Sequence, residues 1–564
     1  MEFISCLRFL KIYDNTSYIQ FLKYNDFKNR NMVLINLKEV FYLTNLPFVD
    51  RNKYFSNLGF TEDPFASTNA LHEEMLPEYF INPPYFSALI GDVNKPKSSI
   101  IIAPRGTGKT AQRKMLEKYS EVIPELICIV YDDFPIENRP DLNNITLEIH
   151  LIKINKCLLI ALLCELYSRN IEKAISMEEK KTLTKLIELY LHDINTSDIN
   201  YALNSIKGIS GKIKDIWNVA NEGITSVVNI ILTKHGIPKV NLDKVKDDST
   251  VIKNSEVMDH FNVIEILFES IGIGSVFILI DRVDETSLTG NDSKETYKLI
   301  QPLIKDLRLL ERKTIVFKFF LWDKLEEHWS EDIRKDRIDI FKIEWNIVQI
   351  KELLDKRLNG FSNNKIGNLS SILDCNAETL EYIYIFSKNS PRDAINIMKT
   401  IFTEHLNINS SNSNLQSLPN SESIIKGIEM FSEEKFTEII TQRTQQKELQ
   451  SIKSCTFTIN HLYNEIFKCE SSTARNKLMP WTRAGFIYTS PNKIKVHNKP
   501  NSVNLYTFDD IRISRHVCSN QKFNEFMERN VITCFECNTI NLFDKKNIYN
   551  VNDWQCTKCS SKIL

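Results

Sequence analysis

The apolar positions of this chain fall into runs of two kinds, and together they predict an alternating fold. Short unbroken runs closed by turn or charged residues mark strands buried on both faces. Residues 100–103, 126–131, 275–280 and 313–321 are such runs. Elsewhere apolar residues recur every three or four positions, as helices with one buried face require. Residues 111–119, 350–358, 377–388 and 392–405 are predicted helices, with a shorter one over 73–80 before Pro83-Pro84, while 146–167 fits a long helix that is buried. Leu183, Leu186, Ile187, Leu189, Tyr190 and Leu191 lie in another, and a further stretch runs from Ile213 through Trp217 to Ile231. Strands alternating with helices predict a parallel sheet covered on both faces, so the fold class is α/β.

At 564 residues the chain exceeds a single core, and three or four domains are expected. Residues 1–60 are rich in Phe, Tyr and Asn and carry no motif. The sheet and its helices occupy 61–344, interrupted by a helical insertion over 170–260, and a helical lid follows over 345–405. Residues 406–424 are dense in Asn and Ser, with Pro419, and read as a linker. Residues 425–517 form one further domain, and 518–564 hold two cysteine pairs.

The first strand runs directly into Ala103-Pro104-Arg105-Gly106-Thr107-Gly108-Lys109-Thr110. A strand, a glycine-bearing loop and a helix in this order make a phosphate-binding loop, because backbone N–H groups can be turned toward the anion. Gly106 and Gly108 give the backbone its freedom, Lys109 would reach the β/γ-phosphates and the Thr110 hydroxyl would ligate Mg²⁺. Ala103 stands where the pattern usually has its first glycine. Such a loop needs a carboxylate at the tip of a neighbouring strand to organise the metal. Asp281 follows the apolar run 276–280 and fills that role, while Asp284 or Glu285 could orient or deprotonate an attacking water.

These motifs, with Asn389-Ser390-Pro391-Arg392-Asp393, resemble the AAA+ and STAND ATPases, in particular the origin-recognition-complex-like branch. The resemblance spans roughly residues 60–405. It implies a P-loop NTPase sheet with a helical lid, ATP and Mg²⁺ as cofactors, and hydrolysis coupled to engagement of nucleic acid or a partner protein. It further implies that Arg392 touches the γ-phosphate, that Asp323 is a sensor at the tip of the 313–321 strand, and that Arg334 or Arg337 could complete a neighbouring protomer's site. The family includes bacterial defence ATPases, and the large insertion favours that setting. Arg282 departs from the pattern, since AAA+ proteins usually carry a glutamate there. That departure keeps open a second reading, a nucleotide-gated scaffold or switch with little turnover. A kinase would use the same loop, but the Pro391-Arg392 lid segment argues against it.

Cys534-Phe535-Glu536-Cys537 and Cys556-Thr557-Lys558-Cys559 give the spacing C-x2-C-x18-C-x2-C, which suits a closed tetrahedral Zn²⁺ site. Disulfide pairing is the other reading, and a reducing compartment disfavours it. His516 and Cys518 are near in sequence but not needed. Upstream, predicted helices over 458–467 and 472–484, a strand from Gly485 and a basic run over 493–499 resemble a winged-helix domain, which the same ATPase branch often carries. Pro480-Trp481 is expected to interrupt the second helix. Phe535, Phe543, Tyr549 and Trp554 with Lys545-Lys546 could stack on bases and meet phosphates, or form the small core of the zinc ribbon.

Composition narrows the partners. Residues 451–564 hold 16 Lys and Arg against 9 Asp and Glu, whereas the whole chain carries −1. A basic C-terminal part points to an anionic partner such as DNA. No apolar run approaches the roughly 20 residues of a membrane span, and the first residues lack a secretory pattern, so a cytoplasmic protein with reduced thiols is expected.

Overall fold

The computed structural model of the chain describes residues 18–21, 33–36, 50–136, 141–168, 175–192, 194–208, 224–242, 252–329, 333–410, 415–494, 501–544 and 554–563. Two compact units emerge: residues 65–360 with 381–396, and residues 1–64 with 361–380 and 397–564.

The first unit is built on a six-stranded sheet: β1 (Ser99–Ala103), β2 (Leu126–Tyr131), β3 (Ile206–Lys207), β4 (Ser275–Ile280), β5 (Ile315–Trp322) and β6 (Asp339–Lys342). Their order is β3-β2-β4-β5-β1-β6, and every neighbouring pair is parallel except β2 with β3. The four apolar runs became strands because helices cover both faces, so neither face needs polar residues. Two strands escaped the apolar pattern. β3 has only two residues, and β6 leaves Asp339 and Lys342 exposed, as an edge strand permits. The insertion over 170–260 is therefore not wholly helical, since β3 extends the sheet from within it.

The order has one consequence for chemistry. β5 lies between β1 and β4, with Ala103 paired to Trp322 and Ile280 to Phe319. The carboxyl ends of the three strands, where ligands bind in open α/β sheets, bring the glycine loop, Asp323 and Asp281 side by side.

Helix α1 (Lys109–Ser120) follows the loop, and α2 (Leu147–Ser168) is the centre of the insertion. Residues 158–163 of α2 are almost fully enclosed, a helix apolar on all sides. It packs against α3 (Met177–Leu191), α4 (Thr196–Ser205), α5 (Ile224–Lys234) and α6 (Val257–Ser270). Ile213 and Trp217 lie outside the described residues, and α5 carries the end of that predicted stretch.

Lys318 sits mid-strand in β5 and is 2% exposed. Its ammonium donates to the carbonyls of Leu89 (2.6 Å) and Lys97 (2.8 Å) and lies 4.8 Å from the Phe277 ring centre. Burial pushes its pKa down to about 7. The unfolded chain would hold this proton to a pH of about 10.4, so stability rises with pH from about 7 upward. Urea titrations should show wild type gaining about 3 kcal/mol on Lys318→Met between pH 7 and 9.5. Parallel pH profiles for the two proteins would mean that Lys318 keeps its proton in the fold.

Three helices follow the sheet: α7 (Ile347–Phe361), α8 (Ala377–Ser387) and α9 (Pro391–Ile408). Within the first unit α7 is tied to the lead-in segment. Arg357, 1% exposed, donates to both carboxylate oxygens of Glu73, at 2.7 and 2.8 Å.

The second unit contains α10 (Ser421–Ile439), α11 (Arg443–Ile452), β7 (Thr456–Phe457), α12 (Ser471–Arg483), β8 (Ile487–Ile494), β9 (Val503–Phe508), α13 (Ile511–Val517) and α14 (Phe523–Asn530). β7, β8 and β9 form an antiparallel sheet in the order β8-β9-β7, closed over Leu449, Ile452, Leu478 and Trp481. The linker expected over 406–424 is pinned where it is described. Leu415 is buried, the Ser417 carbonyl accepts from Tyr54 and His405, and the Pro419 carbonyl accepts from the Asp374 N–H. Nor does Pro480 end its helix. α12 continues to Arg483 because Pro480 faces solvent while buried Trp481 anchors the last turn.

Candidate functional site

Residues 104–108 leave β1 and enter α1 through two left-handed glycines, Gly106 at φ +81° and Gly108 at φ +96°. Side chains resist this conformation and glycine does not. Gly108 caps α1 without a side chain, so the N–H groups of the first turn have no side-chain cap and remain available to an anion. Thr107 Oγ1 closes the loop on the Pro104 carbonyl at 2.7 Å, and the Trp345 indole N–H holds the Thr107 carbonyl at 2.8 Å. Lys109 Nζ rests on the carbonyls of Ala103 (2.9 Å) and Pro104 (3.0 Å). Burial lowers its pKa, and the charges of Asp284, Asp281 and Asp323 oppose that shift.

Asp281 stands at the end of β4 and is 2% exposed. Its Oδ2 accepts from Thr110 Oγ1 at 3.0 Å and from Arg113 Nε at 2.9 Å, while Oδ1 accepts from the Arg282 N–H at 3.0 Å. Burial raises its pKa, partly offset by the Arg113 charge and the Thr110 bond. Arg282 makes its contact from a left-handed backbone, φ +61°, a conformation that costs a non-glycine residue roughly 1 kcal/mol or more.

The two carboxylates expected to handle water are both ion-paired. Asp284 Oδ2 accepts from Arg105 Nε at 2.8 Å, and the same guanidinium reaches Asn291 Oδ1 at 2.7 Å and stacks 4.4 Å from the Trp322 ring centre. Glu285 is exposed and pairs with Arg282 Nε at 2.7 Å. Arg105, expected only as part of the loop backbone, is thus a clamp on Asp284.

The Ser390-Pro391-Arg392 turn lies on the loop. The Arg392 N–H points at the Gly106 carbonyl at 3.4 Å, and a Cβ on Gly106 would stand 3.3 Å from Arg392 Cβ. The Arg392 side chain is exposed and has no ion pair among the described residues. Arg334 and Arg337 are exposed and pair with Asp336 at 3.6 and 3.5 Å; Arg337 also meets Glu311 at 3.4 Å. No motif in the sequence marks Arg113, Glu117 or Trp345 as part of the site. The i,i+4 spacing of Arg113 and Glu117 on α1 was visible, but nothing local pointed it at Asp281, which lies 168 residues on.

The second candidate site is in the C-terminal part. β10 (Val531–Thr533) and β11 (Ile540–Leu542) pair antiparallel around the first Cys-x2-Cys turn, and an antiparallel bridge from Gln555 to Lys562 closes the second. The sulfurs of Cys534, Cys537, Cys556 and Cys559 all lie within 4.8 Å of one another. Cys534 and Cys559 are 3.6 Å apart, and Cys537 and Cys556 3.5 Å. A disulfide holds its sulfurs at about 2.05 Å, whereas Zn–S bonds of about 2.3 Å in a tetrahedron place them about 3.8 Å apart. The donors therefore fit Zn²⁺. Each turn ends in a left-handed residue, Asn538 or Ser560, whose N–H bonds the carbonyl of the turn's first cysteine. Ser561 and two backbone N–H groups pull the Cys534 thiol down to about 6, toward the thiolate a metal needs. Asn541 steadies the second turn, donating to Cys556 Sγ and accepting from the Thr557 N–H. The ribbon packs on the β8–β9 hairpin through Leu505, Phe543 and Trp554 and a two-way Asn492–Gln555 hydrogen bond. Phe543 and Trp554 are thus core, while Phe535 is 90% exposed. Lys545, Lys546 and Tyr549 lie outside the described residues, as do Lys495 to Lys499 of the basic run.

No protein-family model and no curated protein matches the sequence. Among solved structures, the chain is similar to the RuvB Holliday junction branch migration motor of Thermotoga maritima, at 16% identity and a TM-score of 0.19. That match covers 38% of this chain and 65% of RuvB, less than two thirds of its length. It is also similar to Cdc6p of Pyrobaculum aerophilum, at 10% identity and a TM-score of 0.29, over 81% of this chain and 98% of that one. At such scores, what the two sites do is read from their own residues.

Proposed function

We propose that this chain is a P-loop ATPase of the AAA+ or STAND type. It would bind ATP with Mg²⁺ at residues 103–110 and use the nucleotide state to control engagement of nucleic acid or a protein partner. The observation that carries the reading is the 3.0 Å bond between Thr110 Oγ1 and Asp281, two groups 171 residues apart that phosphate chemistry needs together. The uncapped helix start and the left-handed Gly106 and Gly108 form a cradle for phosphate oxygens. Lys109 would leave the Ala103 and Pro104 carbonyls for the β/γ-phosphates, and Arg392 would meet the γ-phosphate from the lid. Thr110 and Asp281 would hold Mg²⁺, which neutralises charge on the phosphates when bound. Asp284, released from Arg105, would orient the attacking water, with Glu285 the second candidate.

A switch with little turnover is favoured by one specific observation: both candidate water-handling carboxylates are held by arginines, Asp284 by Arg105 and Glu285 by Arg282. ATP hydrolysis by the intact chain decides between the readings. Turnover that falls about 100-fold or more in Asp284→Ala/Glu285→Ala supports the ATPase, and ATP binding without turnover supports the switch.

The C-terminal unit is the reader in this proposal. Its helices and the β8-β9-β7 sheet suit a winged helix, with α12 as the presenting helix. Arg475 and Arg483 on α12 are exposed and have no carboxylate partner among the described residues, whereas Lys477 pairs with Glu448. The ribbon staples the hairpin. Stimulation of turnover by double-stranded DNA, lost in Arg475→Ala/Arg483→Ala, would make the partner nucleic acid. Indifference to DNA would make it protein. Arg334 or Arg337 would serve a neighbouring protomer if the chain assembles.

A further inference from the structure

Helix α1 does more than begin at the phosphate loop. One turn beyond Lys109 it carries Arg113, 2% exposed, and one turn further Glu117, 4% exposed. Arg113 Nε donates to Asp281 Oδ2 at 2.9 Å and Nη1 donates to Glu117 Oε1. Glu117 Oε2 also accepts from Lys114 Nζ at 3.3 Å, a partly exposed ammonium that water screens. Asp281 Oδ2 is the oxygen that Thr110 Oγ1 also meets. Three donors thus fix the Asp281 carboxylate: two side chains of α1 and the Arg282 N–H.

The charges explain why Glu117 is there. A buried Asp281 paired only with Arg113 would be neutral as a unit, and a neutral unit gives a divalent cation little to bind. An unpaired Asp281 at this burial would be poorly placed and costly to ionise. The buried trio of Asp281, Arg113 and Glu117 carries a net charge of −1, so the carboxylate is both clamped and still attractive to a cation.

We infer that Arg113 and Glu117 are positioning residues for the metal. Arg113 sets the orientation of Asp281, while Glu117 holds Arg113 and restores the negative charge that Arg113 cancels. Together they set the Mg²⁺ concentration at which nucleotide is bound. This rests on the nucleotide site proposed above.

The test is binding of a fluorescent ADP to the intact chain, in EDTA and across a Mg²⁺ titration. Glu117→Gln keeps the shape and removes the charge. Arg113→Met/Glu117→Met removes the clamp and leaves the net charge at −1. Both should raise the Mg²⁺ midpoint by about 10- to 100-fold, as loss of groups that orient a metal ligand does. Affinity in EDTA should stay within about twofold of wild type, since neither residue faces phosphate. A wild-type midpoint in Glu117→Gln overturns the inference, and so does an equal loss of affinity with and without Mg²⁺. If the double variant does not fold, Glu117→Gln alone decides. Failure of the wild-type chain to bind nucleotide would instead overturn the site itself.

Discussion

Lys109→Ala is expected to weaken ATP binding by about 2–5 kcal/mol and to abolish measurable turnover. The side chain has no structural duty that alanine would fail, since its ammonium only rests on the Ala103 and Pro104 carbonyls at the loop rim. Its removal acts through charge. Asp281, Asp284 and Asp323 all bear electrostatically on Lys109, and its loss removes a positive charge that offsets them beside the phosphates. Charge-assisted bonds to phosphate are also among the strongest available to a side chain. Isothermal calorimetry with ATP and Mg²⁺ reads the loss, and an unchanged melting profile of the variant shows that the loop still folds. Wild-type affinity in Lys109→Ala would remove the loop from nucleotide binding.

Removal of zinc is expected to unfold the C-terminal ribbon. Its apolar content is small, resting on Leu505, Phe543, Trp554 and Ile563 around one two-stranded sheet. A fold of this size does not hold without a staple, and structural Zn²⁺ supplies roughly 10–16 kcal/mol of apparent free energy in comparable small domains. The intact chain should contain one zinc per molecule by elemental analysis. A strong chelator, or Cys556→Ser, should expose Trp554 to solvent and open the chain to protease cleavage between residues 531 and 563. The β8–β9 hairpin should loosen with it, because Asn492 loses both bonds to Gln555. A ribbon that stays protease-resistant in chelator would mean that packing on the hairpin suffices.

Most of the sheet was legible because parallel strands covered on both faces advertise themselves as unbroken apolar runs. Residues 126–131 and 275–280 became strands with those bounds. β3 and β6 were not legible, since two residues carry no period and an edge strand keeps polar side chains. The stop expected at Pro480 rests on proline's intrinsic habit. On the solvent face of α12, with Trp481 buried beside it, that habit is outweighed by tertiary packing.

What the sequence determined by itself was local chemistry. Eight consecutive residues make the glycine loop, and two Cys-x2-Cys turns present their own sulfurs in pairs, whatever surrounds them. What only the tertiary structure decided were the pairings between distant segments. β5 inserted between β1 and β4 brings Asp281 to Thr110 and Arg113 and turns Arg105 onto Asp284. The reason is physical. A guanidinium or carboxylate reaches only a few ångströms, and its partner is selected by strand order, which no stretch of sequence states alone.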